Sequence, residues 1–492
     1  MAAVRRASQT RKPAASTILG PTTDIKIKRA AGIVFHDTAS ALFGVPGLRV
    51  TDAGPAPGDA GTEVRAVTDC GSAAACPDCG TESSQVHETI VTCPKDVRMA
   101  GVPVALNWVK KRLKCVNAEC GRRTFTERVP AVPPGCRVLP RLKEQCAGEV
   151  ADRGITPAEA ARHAGVSRPV AQDAFTARAE QMLDQDPEPV VHPGTGEHRR
   201  GRPRWRLDEE TGKYVTLADR WHVSFCDLSG NQGMLGQVQG RTADDAAYWL
   251  LSAPPAWRDR VEVVATGMCT VFASAVKRAL PQARIAVDLF HVVQLAVKAL
   301  GDVRRRATRE KYGRRGKKDN PEYGLKGLLS RNLEDLSPEK FSKIVETLDA
   351  DGHGQQVLLA WIAKEKLRDA LNLREKITRS QPCERQVRDR LFLFYDWCAQ
   401  NEDIPELASL AATVSRWEDG IVTAVLTGVT NATSESLNRI AKLEARMAYG
   451  FRNPENQRHR VRIACTRGTR RRSPTATSKP KQPVINRKQV PG

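Results

Sequence analysis

Between residues 214 and 301 the chain alternates two kinds of hydrophobic period, and that order restricts the fold more than any other feature. Trp221, Val223 and Phe225 in WHVSFC alternate with polar neighbours, DLSGNQG supplies a turn, and MLGQV completes a hairpin. Thr242, with Asp245 three residues on, forms a capping-box pattern that opens a helix running to Leu251. VEVVA at 261–265 reads as a strand, the next dozen residues as a helix, RIAV at 284–287 as a strand and FHVVQLAVKAL as a helix. Hairpin, helix, strand, helix, strand, helix is the order of a mixed sheet covered by helices. The fold class expected is therefore multidomain, α+β and α/β.

A chain of 492 residues exceeds one ordinary domain. Residues 1–40 are basic and without period, so they read as a flexible extension. Residues 41–138 form a cysteine-bearing module, 139–183 a helical segment broken at Gly165, and 188–301 the first part of the sheet-containing core. A charged helical stretch fills 302–425, the core resumes over 426–466, and 467–492 is a basic tail expected to be disordered.

In the cysteine module, Cys76 and Cys79 make a C-x2-C pair, and Cys115 and Cys120 a C-x4-C pair. Tetrahedral zinc needs such short-range pairs because each turn then offers two thiolates to one metal. Pro77, Gly80 and Gly121 frame the pairs as knuckles, and His87 and Cys93 are the alternates. Between the pairs Val104, Leu106 and Trp108 alternate with Ala105 and Asn107, which predicts a strand that starts after Pro103 and belongs to a hairpin.

The segment from Ala160 to Ser167 has the small residues of a helix-turn-helix. Gly165 turns the corner, Ser167 caps the second helix, and Arg168, Gln172 and Asp173 begin its groove-facing side. Lys plus Arg number 77 against 56 Asp plus Glu, a formal net charge of +21 that calls for a polyanionic partner such as double-stranded DNA. The run RRRATREKYGRRGKK, with Arg304, Arg305, Arg306, Arg314 and Arg315, reads as a phosphate-contacting surface. No apolar run approaches the roughly 18 residues of a membrane span, so a cytoplasmic, nucleoid-associated protein with no membrane partner is expected.

CPDCG with CVNAECGRRTF, the helix-turn-helix, VDLFHVV at 287–293 and TNATSESLNRIAKLEARMAYGFRN at 430–453 together resemble bacterial insertion-sequence transposases of the ISL-three (ISL3) family. The resemblance runs from about 42 to 466. It implies a zinc module, a helix-turn-helix and an RNase H-like domain interrupted by a helical insertion. It further implies two aspartates and a glutamate that hold Mg2+ or Mn2+ for cutting and joining DNA at element ends, carried out by a homo-oligomer. Two such metals about 4 Å apart need hard oxygen ligands.

Carried over by position, the glutamate is Glu435. The first aspartate falls on Gly196 in GTGE and the second on Gly267 in ATGM. Pro193 and Thr195 are expected to spoil the strand around Gly196. Substitute acids would be Asp288, with His291 a turn beyond, and Glu197 or Asp227. Glu197 should face away from the site, Asp227 should lie at a hairpin turn, and no acid lies between Glu262 and Asp288. The expectation is a DNA-binding, transposase-like protein with impaired catalysis. The alternatives are an active transposase using those acids with Glu435, and a DNA-binding regulator of related elements.

Overall fold

A computed structural model describes residues 37–470 except 60, 184–185, 219, 231 and 377–381. Most of the N-terminal extension and the tail after 470 lie outside the described residues. The chain divides into two compact units, one spanning residues up to 148 together with 157–174, the other 149–156 together with 175 onward.

The first unit opens with a short helix, α1 (Thr38–Phe43), whose N-cap Asp37 accepts from Ser40 N. Its sheet has the order β1 (Leu48–Pro55), β2 (Thr62–Thr68), β4 (Val104–Lys114), β3 (Val86–Thr92), with β5 (Thr124–Thr126) also on β4. β3 and β4 pair antiparallel between the two cysteine pairs, as the alternation predicted. Val104, Leu106 and Trp108 are buried, and Pro103 stands just ahead of the strand, where it removes no ladder bond. The unit then continues into α2 (Pro140–Gly148), α3 (Pro157–Ala164) and the first half of α4 (Arg168–Leu183). Leu142, Ala160, Ala161 and Ala171 are the buried positions on these helices. Gly165 turns between α3 and α4 at φ 64°, a left-handed conformation that favours glycine.

The second unit is built on a five-stranded sheet in the order β10 (Met234–Gln239), β9 (Trp221–Asp227), β6 (Pro193–Arg199), β11 (Val263–Thr266), β12 (Arg284–Val287). β6, β9 and β10 run antiparallel to their neighbours, whereas β6, β11 and β12 are parallel. A separate ribbon, β7 (Arg204–Leu207) with β8 (Tyr214–Ala218), leaves the chain between β6 and β9.

The sheet order confirms the mixed α/β expectation but corrects one detail. Pro193 and Thr195 do not spoil β6, because Pro193 occupies its first position and the strand pairs with β9 over its whole length. The strand read at 261–265 is displaced to Val263–Thr266.

One face of the sheet is covered by α5 (Ala243–Ser252), α6 (Pro255–Asp259) and α7 (Thr270–Ala279). Thr242 and Asp245 make the reciprocal capping box. Phe225 stacks on Trp249 at 4.1 Å, and a Cβ at Gly236 would lie 2.2 Å from that indole, so the glycine makes room for the ring.

α8 (Leu289–Tyr312) leaves β12 and runs unbroken into a helical body. This body comprises α9 (Lys326–Leu329), α10 (Pro338–Leu348), α11 (Gly352–Leu371), α12 (Leu373–Lys376), α13 (Glu384–Gln400) and α14 (Pro405–Arg416). Its core joins Val303, Leu367, Phe394 and Val414. The chain returns through α15 (Glu418–Thr427), which packs on β12 with Gly420 against Val287, and ends in α16 (Ala432–Met447) and α17 (Pro454–Arg470) over the other face of the sheet. A buried pair, Arg460 with Glu444 at 2.7 Å, ties α17 to α16.

Candidate active site and zinc centre

The four cysteines predicted as metal ligands converge, with every sulfur within 4.8 Å of the others. Cys76 and Cys120 are 3.9 Å apart, Cys79 and Cys115 3.6 Å. Zinc–sulfur bonds of about 2.3 Å at tetrahedral angles place sulfurs about 3.8 Å apart, so the four thiolates fit Zn2+. Two turns hold them. Gly80 N donates to Cys76 O across a φ of 71°, and Cys120 N donates to Asn117 O. Leu113 and Phe125 pack beneath. His87 and Cys93 are not in the cluster.

In the second unit, β6 sends alternate residues to opposite faces. Gly194, Gly196 and His198 face α16, while Glu197 faces the other way and pairs with Arg241 at 3.1 Å. α16 carries Glu435 in its first turn, half-buried, between two asparagines that hold the helix on the strand. Asn431 Nδ2 donates to Thr195 O at 2.9 Å, and Ser224 Oγ lies 3.2 Å from both Gly196 O and Asn438 Oδ1. Asn431 and Asn438 are seven residues apart, two helical turns, so TNATSESLN contained the signal for this contact face. It was not read from the sequence.

The register that sets Ala265 beside Gly194 carries Gly267 to the flank of Gly196. Neighbouring strands lie about 4.8 Å apart, the separation two carboxylates need to share metals about 4 Å apart. None of Gly194, Gly196 and Gly267 has a left-handed φ, so no backbone conformation requires glycine there. Space distinguishes them. A Cβ on Gly194 would meet Ser434, Leu228 and Asn431 at 2.4–2.8 Å, one on Gly196 would meet only the amide of Asn438, at 2.4 Å, and one on Gly267 would meet nothing within 4 Å.

The other acids are engaged elsewhere. Asp227 caps the β9–β10 turn, accepting from Ser229 N and Gln232 N. Asp288 caps α8 through Phe290 N and binds His291 Nδ1 at 2.7 Å. It follows β12 directly and donates its own N–H to Thr266 O, so it stands beside Gly267. Among the described residues, no group of three or more His, Cys, Asp or Glu brings ligand atoms together except the four cysteines. The acids present therefore do not fit a pair of divalent metals.

Below Glu435 the sheet face is polar and dry. Burial pushes the His198 imidazole down to about 4, with the Asn438 hydrogen bond opposing and Lys442 assisting. His222, stacked on it at 5.9 Å, is pushed down to about 3 by burial and then by His198 and Arg200.

Of the residues expected to touch DNA, Ser167 and Arg168 are exposed where α4 begins and Gln172 is half-buried. In the insertion, Arg305 and Arg315 are exposed and Arg304 and Arg314 half-buried. Arg306 is bound at two nitrogens by Glu406, with Glu310 and Gln356 alongside, so it knits α8 to α14.

Comparison with known proteins decides the lineage. The DDE transposase family of ISL3 type matches residues 213–461, half of the chain, a stretch that includes Gly267 and Glu435. This chain belongs to the ISL3 family of transposases. A second family, the zinc-finger of transposases IS204, IS1001, IS1096 and IS1165, matches residues 72–125 and all four cysteines. The transposase for insertion sequence element IS1001 of Bordetella parapertussis is 23% identical over 400 residues, 79% of this chain and 88% of that one. The transposase for IS1557 of Mycobacterium tuberculosis is 32% identical over 203 residues, 37% and 43% of the two chains. The transposase thus carries a structural zinc site in a zinc ribbon. No helix among the described residues is long and apolar enough to cross a membrane.

Proposed function

We propose that this ISL3-family chain binds double-stranded DNA at insertion-sequence ends, as a homo-oligomer in the bacterial nucleoid, and is impaired in metal-dependent strand cleavage. One observation carries the reading: on adjacent parallel strands, facing the helix that bears Glu435, the two positions matched to the catalytic aspartates are Gly196 and Gly267. Two divalent ions bring four positive charges, and Glu435 alone returns one negative charge. Hard cations need several oxygens to replace their water, so metal affinity collapses. Because cooperating catalytic groups act as a unit, little rate enhancement survives the loss of two.

DNA binding rests on the family, the zinc ribbon, the exposed start of α4 at Ser167 and Arg168, and the excess of basic residues. Manganese-dependent nicking of DNA flanking the gene tests the catalytic half. The protein as it stands should not cut, and the Gly196→Asp, Gly267→Asp double variant should. Cleavage by the unaltered chain would sink the reading in favour of Asp288, Glu197 or Asp227 acting with Glu435. Binding without cleavage would leave the chain the chemistry of a regulator that occupies the ends used by active relatives.

A further inference from the structure

The stretch RRGRPRWR at 199–206 holds five arginines and no acid, and the catalytic argument uses none of them. In the fold it becomes the root and first strand of the β7–β8 ribbon. This ribbon forms a sheet of its own, and a lone two-stranded ribbon is marginal in water unless something covers it. Its apolar side chains are exposed: Trp205 at 56%, Tyr214 at 72%, Leu217 at 57%. By register Trp205 pairs with Thr216 and Leu207 with Tyr214, so Trp205, Leu207 and Tyr214 share a face.

At the root, Arg200 is 8% exposed and its Nη1 donates to Phe451 O and Arg452 O, both at 2.9 Å. Its Nε is buried without a partner, and so is the Nε of Arg220. Arg220 Nη1 passes 3.1 Å from where Gly201 would carry a Cβ. Burial, then Arg220 and Arg204, hold the Arg200 guanidinium below its ordinary value, and among the described residues no acid pairs with any of the three. Three mutually repelling guanidiniums with unused buried donors are held together at a cost that an anion would offset.

We propose that Arg200, Arg204 and Arg220 form a binding site for the phosphates of a DNA strand, with Trp205 and Tyr214 of the adjoining ribbon packed along that strand. The assignment rests on the DNA-binding reading above and adds a second contact to the helix-turn-helix. Arg200 follows Gly196 by four residues on an extended segment, about 13 Å at the rise of a strand. That is roughly two phosphate spacings, so a strand held here runs toward the Glu435 centre. The acids Asp208, Glu209 and Glu210 sit at the ribbon tip, which puts the anion site at the root.

The test uses the full chain, a labelled random-sequence duplex and a salt titration. Arg202→Gln with Arg204→Gln changes two exposed side chains and leaves buried Arg200 untouched. It should weaken binding about fivefold to tenfold and make the slope of log K against log salt shallower by about one per arginine lost from a phosphate. Arg204→Lys should keep most of the affinity, and iododeoxyuridine in the duplex should photocrosslink to Trp205. Arg168→Ala, the helix-turn-helix control, should instead cost preference among sequences. Unchanged affinity and slope in the double variant, with the unaltered chain still binding, would overturn the ribbon site and leave DNA binding standing. A shift in oligomeric state on Trp205→Ala with DNA binding intact would make the ribbon a protein interface and overturn it too. No duplex binding by the unaltered chain would remove the broader reading and this site with it.

Discussion

The zinc ribbon and the Glu435 centre were both built to hold metal, yet one keeps all four ligands and the other one of three. The difference follows from what each metal does for the fold. A structural zinc contributes its binding free energy to folding, about 10–16 kcal/mol in small zinc modules at neutral pH, so losing a thiolate costs the first unit its stability. Catalytic carboxylates facing one another repel, so a sheet that loses them loses no stability. β6 still pairs along its full length with glycine at 194 and 196, and the Asn438 amide has moved into the space beside Gly196. Folding constraint preserved one site, and its absence let the other go.

The largest expected effect tests the first half of that contrast. Cys76→Ser with Cys79→Ser should release the zinc and unfold the first unit; undiminished zinc by elemental analysis of the purified variant would contradict it. Next come the three glycines, each changed to alanine and followed by denaturant unfolding. Gly194→Ala should cost about 3 kcal/mol because three neighbours must move. Gly196→Ala should cost about 1–2 kcal/mol, since only Asn438 must turn. Gly267→Ala should be neutral or slightly stabilising, because it meets no neighbour and restricts the unfolded chain. Equal costs at all three would show that Gly196 and Gly267 are structural glycines rather than lost acids.

The smallest effect is one of pH. His198 and His222 are neutral in the fold, with pKa values pushed down to about 4 and about 3, whereas the unfolded chain takes up their protons near 6.5. Below that pH the unfolded state binds more protons, so their contribution is complete above pH 6.5 and declines as pH falls toward 4. With Zn2+ held constant, the unfolding midpoint of the second unit should drop over this window, and His198→Gln should flatten the drop. An identical pH profile in the variant would assign the acid sensitivity to other groups.

Much of this was legible along the chain because it depends on near neighbours. The C-x2-C and C-x4-C spacings, the alternation from Val104 to Trp108, the Thr242–Asp245 capping box and the turn at Gly165 each involve residues within a few positions, where chain geometry leaves little choice. The identity of residues 196, 267 and 435 was likewise visible as a motif. The integrity of β6 was not, since Pro193 is harmful or harmless according to whether it falls inside the strand or at its first position.

By itself, then, the sequence determined the lineage, the zinc ligands and the absence of two carboxylates, all of which are written in residue type and short spacing. Only the tertiary structure decided that Gly194 is required by packing while Gly196 and Gly267 are not, that Glu197 is turned away toward Arg241, and that Arg200, Arg204 and Arg220 meet at one ribbon root. Those outcomes depend on contacts between strands and helices that are distant in the chain, and no local pattern encodes how closely two such surfaces approach.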